Sequence, residues 1–269
     1  MTLRANEFAS EQYWSSIWRR VELGHIGVWE ADPAVKQQSK LISGLIEEML
    51  QRKETVNILE IGCANSFWLP HFARRFNVNV YGLDYSLPGC FQAKNQLNRQ
   101  HIDGHIFCQD FFNFVEDGVE NFDIIISFGF IEHFGNPSLA LGGMYQILRP
   151  GGVVFANVPN IAGIYGYLQK KIDWDVYNGH ILMSDMEIAE YARQAGFIDV
   201  YSGYIGGLVY FSVLNFQTSK SSIAHAIISG LGRGVRLADI VIGRSLEYVR
   251  LNKSHSISSP YVYVVAKKG

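Results

Sequence analysis

The sequence predicts an α/β fold with a parallel sheet covered by helices on both faces. Two observations carry this. Val56 to Ile61 and Phe122 to Phe128 are short apolar runs without the polar alternation of a half-solvated strand, so they read as strands buried on both sides. Strand-like and helix-like segments then alternate between residues 56 and 158, the pattern that builds βαβ units. With 269 residues the chain can bury a full core and reads as one domain with additions.

Each element has its own signal. Tyr13, Trp14, Ile17, Trp18 and Val21 recur at helical spacing in residues 1–34, a stretch that also holds Trp29 and ends at Asp32-Pro33. This is an amphipathic arm, packed over the core or over the active site. Residues 34–52 form a clearer helix, with Leu41, Leu45, Ile46, Met49 and Leu50 on one side and Glu47, Glu48, Arg52 and Lys53 on the other. A strand over Val56 to Ile61 runs into a turn of small residues, and a helix over Phe67 to Phe76 follows. Val78 to Asp84 is the second strand, Leu87 to Gln100 a helix with Pro88 early in it, and Gly104 to Gln109 the third strand. Phe122 to Phe128 is the most apolar strand and therefore central. Pro137 to Leu148 is a helix stopped by Pro150-Gly151-Gly152, before a strand over Val153 to Val158. Ser184 and Glu187 then form a capping box at the start of a further helix.

Composition excludes several classes. Charged residues are 18% and the formal net charge is −2, so nothing marks nucleic acid as a partner. Cys63, Cys90 and Cys108 have no metal-ligand spacing and read as thiols of a reducing compartment. The opening MTLRANEFAS has no apolar segment of a secretory signal, and a cytoplasmic protein is expected.

The stretch Val56 to Ser66 organises the rest. Glu60 falls at the carboxyl end of its strand, where open α/β sheets place ligands, and Gly62, Cys63, Ala64, Asn65 and Ser66 keep bulk away from the backbone. The following helix would point its N-terminus at the same place. Asp84 ends the second strand, placed to accept hydrogen bonds from ribose hydroxyls. These two signals leave a dinucleotide and S-adenosylmethionine as candidates.

NILEIGCANS, VYGLDYS, CQDFF, FDIIISFGFIEHF and ILRPGGVVFANVPN, in that order, resemble the class I S-adenosylmethionine-dependent methyltransferases. The likeness is to the small-molecule branch with the ubiquinone-type O-methyltransferases; it covers residues 56–160 well and 180–200 more loosely. It implies a Rossmann-like sheet of seven strands, mostly parallel, whose last strand runs antiparallel. Phe197 to Tyr204 and Pro260 to Lys267 would be strands six and seven. The domain then divides into an N-terminal helical arm (1–54), a cofactor-binding core (55–205), a helical insertion or cap (206–257) and the last strand (258–269).

The resemblance also implies roles. Glu60, Gly62, Cys63 and Ala64 would lie beside the methionine part of S-adenosylmethionine, with Glu60 anchoring its amino group. Asp84 would take both ribose hydroxyls, and Tyr85 would cover one adenine face. Asp110 would accept from the adenine amino group with Phe111 beside the ring, and Phe128 and Gly129 would line the path from sulfonium to substrate. One departure stands out: the family's turn usually carries three glycines, and Ala64 and Ser66 replace the second and third. Because G-x-G-x-x-G is absent, the departure argues more strongly against a dinucleotide.

For the acceptor, methyl transfer is an in-line displacement, so the protein aligns the nucleophile and, for a hydroxyl, removes its proton. His133 in IEHF is the candidate base, since imidazole titrates near neutrality, with Glu132 beside it as an orienting group. The alternative is that both only cap the following helix. His180 is a second candidate, in a long aromatic stretch suited to a substrate lid, and Asn157, Asn160 and Tyr165 would line a polar pocket. A two-histidine metal site from His133 and His180 lacks accompanying carboxylates, so no metal is expected.

The expected product is a methylated small molecule, modified most readily at a hydroxyl oxygen of a sugar or natural product. Nitrogen or carbon of a lipid-linked acceptor is the alternative within the enzyme class, and a catalytically silent binding subunit the alternative outside it. The insertion reads as a cap, a homodimer surface or a membrane-surface helix. Arg233, Arg236, Arg244 and Arg250 lend the last some charge, but interspersed acids disfavour it, and membrane contact is not expected.

Overall fold

A computed structural model of the chain describes residues 10–19, 32–118, 122–207 and 254–269. Most of the insertion and part of the arm, Trp29 and the four arginines included, lie outside the described residues, so neither the cap, dimer and membrane readings nor the domain bounds around them are decided by it.

The elements run α1 (Glu11–Trp18), α2 (Pro33–Leu50), β1 (Val56–Ile61), α3 (Trp68–Arg75), β2 (Val78–Asp84), α4 (Leu87–Arg99), β3 (Gly104–Cys108), α5 (Phe111–Glu116), β4 (Phe122–Phe128) and α6 (Pro137–Ile147). There follow β5 (Leu148–Pro159), α7 (Ile164–Ile172), α8 (Trp174–Asn178), α9 (Asp185–Gln194), β6 (Ile198–Ile205) and β7 (Tyr261–Lys267). The seven strands form one sheet in the order β3-β2-β1-β4-β5-β7-β6. The first five run parallel, and β7 lies antiparallel between β5 and β6. The expected seven-stranded architecture, with its reversed last strand, is what forms.

Alternation along the central strands explains the two covered faces. Leu59 and Ile61 of β1, Ile125 of β4 and Val154 and Ala156 of β5 pack with α5, α6 and α9. Val56 and Ile58, Ile124 and Ile126, and Val153 and Phe155 pack with α2 and α3 on the other side. No solvated face remains for polar residues, which is why these strands read as unbroken apolar runs. At the amino edge of the sheet, Asp123 is buried yet paired: it meets Lys53 and Arg149 and accepts the Asn57 N–H at 2.8 Å.

Most helix starts follow the expected chemistry. Asp32, Ser86, Asn136 and Ser184 cap α2, α4, α6 and α9, with proline early in the first three and the reciprocal Ser184–Glu187 box in the last. One helix went unread: Asp110 caps α5 by accepting from Phe112 and Asn113, so the residues after β3 turn directly into a helix. The aromatic lid stretch likewise folds as α7 and α8.

The strand order reverses between β1 and β4, with β2 and β3 following on one side of β1, and β4 and β5 on the other. That switch point opens a crevice at the carboxyl ends, and the candidate residues gather there. Among the described residues no helix is long and apolar enough to cross a membrane.

Candidate active site

The turn after β1 is tied to β2. The N–H groups of Gly62 and Cys63 both donate to the Leu83 carbonyl, at 2.9 and 3.3 Å. Ala64 N–H donates to Asp84 Oδ2 at 3.1 Å, and Ser86 N–H to Asp84 Oδ1 at 2.8 Å. Gly62 takes a left-handed φ of 74°, which a side chain would strain, so glycine is needed there. Asn65 sits at φ 54°, a conformation asparagine tolerates.

The N-terminus of α3 is directed at Ser66 and, through it, at Glu60. Ser66 Oγ accepts from Trp68 N–H at 3.2 Å and Leu69 N–H at 3.3 Å, occupying the donors that would have faced an anion. With the amides of Gly62, Cys63, Ala64 and Ser66 committed internally, the turn offers a pyrophosphate a poor cradle, which argues further against a dinucleotide.

Carboxylates remain. Glu60 is buried and accepts a short hydrogen bond from Ser66 Oγ. Burial pushes its pKa up to about 8, opposed by the Ser66 bond and aided by the charge of Asp84. Asp84 is raised to about 6, again by burial, against the N–H groups of Ser86 and Ala64. Backbone N–H groups take part of the acceptor capacity of the Asp84 carboxylate, and the remaining capacity suits a vicinal diol. Asp110 spends Oδ1 on both α5 amides, leaving Oδ2 as an acceptor. Three acidic acceptors on one edge, at the tips of β1 and β2 and just past β3, fit a ligand carrying an ammonium, a ribose diol and an exocyclic amine.

Other expected contacts are placed differently. The Cys63 thiol is wholly buried, its Sγ filling the space a side chain at Gly82 would need, so only its backbone borders the turn. Tyr85 is half-buried beside Asp84. Phe111 is buried edge-on to Phe130 at 5.3 Å. Phe128 stacks on Trp68, centroids 4.8 Å apart and planes 6° from parallel. Asn160 Nδ2 donates to the carbonyls of Ser256, at 2.7 Å, and Ser259, at 2.9 Å. Ser259 Oγ in turn donates to the Gly206 carbonyl at 2.7 Å, so the two ends of the insertion are clasped together. Tyr165 is buried with the α2-side core, and Asn157, two residues before the end of β5, is buried with Nδ2 unbonded among the described residues.

Past β4, the chain crosses Gly129 at φ 67° and makes a short 3-10 turn over Ile131–His133. The His133 ring lies 4.7 Å from that of His180. His133 Nδ1 lies 3.2 Å from the Gly179 carbonyl, and His180 Nδ1 contacts the Val176 carbonyl. Carbonyls only accept, so both Nδ1 atoms carry the proton and both Nε2 atoms are bare lone pairs. Burial and the neighbouring His180 lower His133 to about 4, partly offset by the Gly179 carbonyl. Glu132 is buried, with both oxygens unbonded among the described residues and Oε1 3.9 Å from His133 Nε2. Burial raises it to about 8. The carboxylate found missing in the sequence is therefore present: ligand atoms of Glu132, His133 and His180 lie within 4.8 Å of one another. Trp14 of the arm closes this cluster from the other side, edge-on to His133 at 5.3 Å. These contacts join residues far apart in sequence, and no spacing announces them.

Fold and site together define a class I S-adenosylmethionine-dependent methyltransferase, an enzyme of methyl transfer. The chain belongs to the methyltransferase domain family, whose pattern matches residues 34–202. It is 25% identical over 223 residues to the malonyl-acyl-carrier-protein O-methyltransferase of Brevibacillus brevis, covering 77% of this chain and 79% of that one. Against the ubiquinone biosynthesis O-methyltransferase of Aromatoleum aromaticum it is 27% identical over 149 residues, 52% of this chain and 62% of that one. Phosphoethanolamine N-methyltransferase 2 of Haemonchus contortus superposes with a TM-score of 0.61 at 18% identity, over 97% of this chain and 60% of that longer one. At such identity the last likeness is one of fold.

Proposed function

We propose that the protein transfers a methyl group from S-adenosylmethionine to a hydroxyl oxygen of a small-molecule acceptor, a sugar or natural product, with His133 as the base. The observation that carries this is the bare Nε2 of the buried His133, whose ring is oriented by the Gly179 carbonyl and packed edge-on by Trp14. The two O-methylating relatives support oxygen over nitrogen or carbon.

When bound, the cofactor supplies an electrophilic methyl on sulfonium. Glu60, Asp84 and Asp110 would hold its ammonium, ribose and adenine ends in turn, fixing the methyl along the line of attack. The His133 Nε2 lone pair takes the hydroxyl proton as the oxygen attacks. Glu132 lies 3.9 Å away; burial raises it to about 8, so the carboxylate that would stabilise the imidazolium so formed grows in as pH rises towards 8. Three free thiols, Cys63, Cys90 and Cys108, fit a cytoplasmic setting.

A second reading has its own observation. Two bare imidazole nitrogens and an unbonded buried carboxylate within 4.8 Å form a donor set for a divalent cation. Such an ion would hold the acceptor oxygen as its anion, making the histidines ligands rather than bases. Titrating the protein with Mg²⁺ and Zn²⁺, and assaying after chelation, separates the two. Undiminished activity in chelator favours the base.

The deciding experiment screens hydroxylated acceptors with methyl-labelled cofactor, then compares His133→Ala. Turnover should fall roughly 10²-fold or more while S-adenosylhomocysteine affinity holds. Wild-type turnover in that variant would remove His133 from the mechanism.

A further inference from the structure

Ser66 occupies the position where the resemblance expects a third glycine, yet it does more than stay small. Its oxygen accepts from Trp68 N–H at 3.2 Å and Leu69 N–H at 3.3 Å, using both lone pairs. Its single hydroxyl proton is left for Glu60 Oε2, to which it is hydrogen-bonded. Both side chains are buried, Ser66 at 4% and Glu60 at 4% exposure, so solvent cannot substitute for either partner. The direction of the bond is therefore set: Ser66 donates and Glu60 Oε2 accepts. Any proton on Glu60 must then sit on Oε1, the oxygen that makes no hydrogen bond among the described residues.

We propose that Ser66 is a positioning residue for cofactor binding: it holds one Glu60 oxygen so that the other receives the ammonium of the cofactor's amino-acid end, and so links binding to release of a proton. This rests on the reading of Glu60 as the anchor of that ammonium. A neutral Glu60 carries hydrogen on Oε1 and meets an ammonium donor to donor, which repels. Binding requires the O–H bond of Oε1 to break, the proton to leave to solvent and the carboxylate so formed to pair with the ammonium. Ser66 favours that ionised form in two ways. Its hydroxyl donates to the carboxylate, and through Oγ it relays the positive end of α3.

The other groups facing Glu60 oppose ionisation. Asp84 at the tip of β2 and the Cys63 thiol of the turn bear on it electrostatically. The adjacent strand positions are apolar or bare, Ile126 on β4 and Gly82 on β2. Among the described residues no cation offsets the buried carboxyl, and burial raises its pKa to about 8 in the ligand-free protein. The cofactor's own ammonium would be the missing countercharge.

The test is calorimetric titration of the full chain with S-adenosylhomocysteine between pH 6 and 9, in two buffers of different ionisation enthalpy. Wild type should bind more tightly as pH rises towards 8 and release a proton to the buffer. Ser66→Ala should shift that rise to higher pH, weakening binding roughly tenfold near neutrality and little at pH 9, since a pKa displaced by one unit changes the ionised fraction tenfold. Ser66→Thr, which keeps the hydroxyl, should restore the wild-type profile. Equal loss at every pH in Ser66→Ala would reduce Ser66 to a helix cap and overturn the proposal. If Ser66→Ala does not fold, Glu60→Gln decides. Above pH 7, where Asp84 is ionised, it should lose the wild-type rise towards pH 8 and its proton release, and a wild-type profile there overturns the proposal. Absence of S-adenosylhomocysteine binding by wild type at all pH values sinks the cofactor reading itself, a failure distinct from the others.

Discussion

Trp14 stands edge-on to His133, ring centroids 5.3 Å apart, and so joins the N-terminal arm to the end of β4. The arm is held there from its other side as well, where Ser15 Oγ lies 3.2 Å from Ser86 Oγ at the start of α4 and the Trp18 carbonyl accepts from Gln92. A single helix thus touches both the segment after Asp84 and the histidine cluster. Among these aromatics, Trp14 packs against His133.

Trp14→Ala should lower turnover roughly tenfold, because opening one wall of the cluster admits water and lets His133 shift. S-adenosylhomocysteine affinity should stay within about twofold, since no contact of Trp14 with the acidic edge exists among the described residues. Steady-state kinetics alongside titration checks this. A larger change in affinity than in turnover would assign Trp14 to the cofactor side.

Asp84→Ala should weaken S-adenosylhomocysteine binding by about 1.5–3 kcal/mol, the scale of hydrogen bonds to a charged group. Part of that loss is indirect, as the backbone N–H groups of Ala64 and Ser86 would each lose a side-chain acceptor. Asp84→Asn keeps one acceptor oxygen and should lose less. Equal affinity in wild type and Asp84→Ala would take the ribose role from this residue.

The pH dependence of ligand-free stability has a definite sign. Glu60 and Glu132 are raised from 4.5 to about 8, so the folded chain keeps protons that the unfolded chain releases. Their contribution is fully present below pH 4.5 and is lost as pH rises through about 8. His133 works in the opposite sense: lowered from 6.5 to about 4, it costs stability as pH falls from 6.5 through 4. Melting temperature should therefore peak in mildly acidic solution and decline on both sides. Glu132→Gln should flatten the alkaline decline alone. Thermal scans across pH measure it, and an unchanged alkaline limb would contradict the buried, unbonded carboxyl.

Asp123→Ala should destabilise the fold by about 1–3 kcal/mol, because it strands the Asn57 N–H and leaves Lys53 and Arg149 without their shared partner. It lies at the edge of the sheet opposite the site, so S-adenosylhomocysteine affinity of the folded variant should not change. Chemical denaturation together with titration tests both halves.

The local elements were legible in the residues themselves. Val56 to Ile61, Val78 to Asp84 and Phe122 to Phe128 announce strands because burial on both faces leaves them no polar positions. The Ser184–Glu187 box announces α9 because its two bonds join residues three apart. Helix α5 is not legible because six mostly aromatic residues show too little periodicity, and Asp110, its cap, equally suits a ligand-binding acid.

By itself the sequence determined the order of elements, the acids at the strand tips and the position of the histidines, since these follow from short-range patterns and from where a parallel sheet places its carboxyl ends. Tertiary structure alone decided what those groups face. Glu132 became the partner of His133 and His180, Trp14 became their cover, and Ser66 became a donor to Glu60 rather than a stand-in for glycine. The physical reason is range. A hydrogen bond or a ring contact across the crevice depends on how whole elements pack, and burial then sets the charge each group carries.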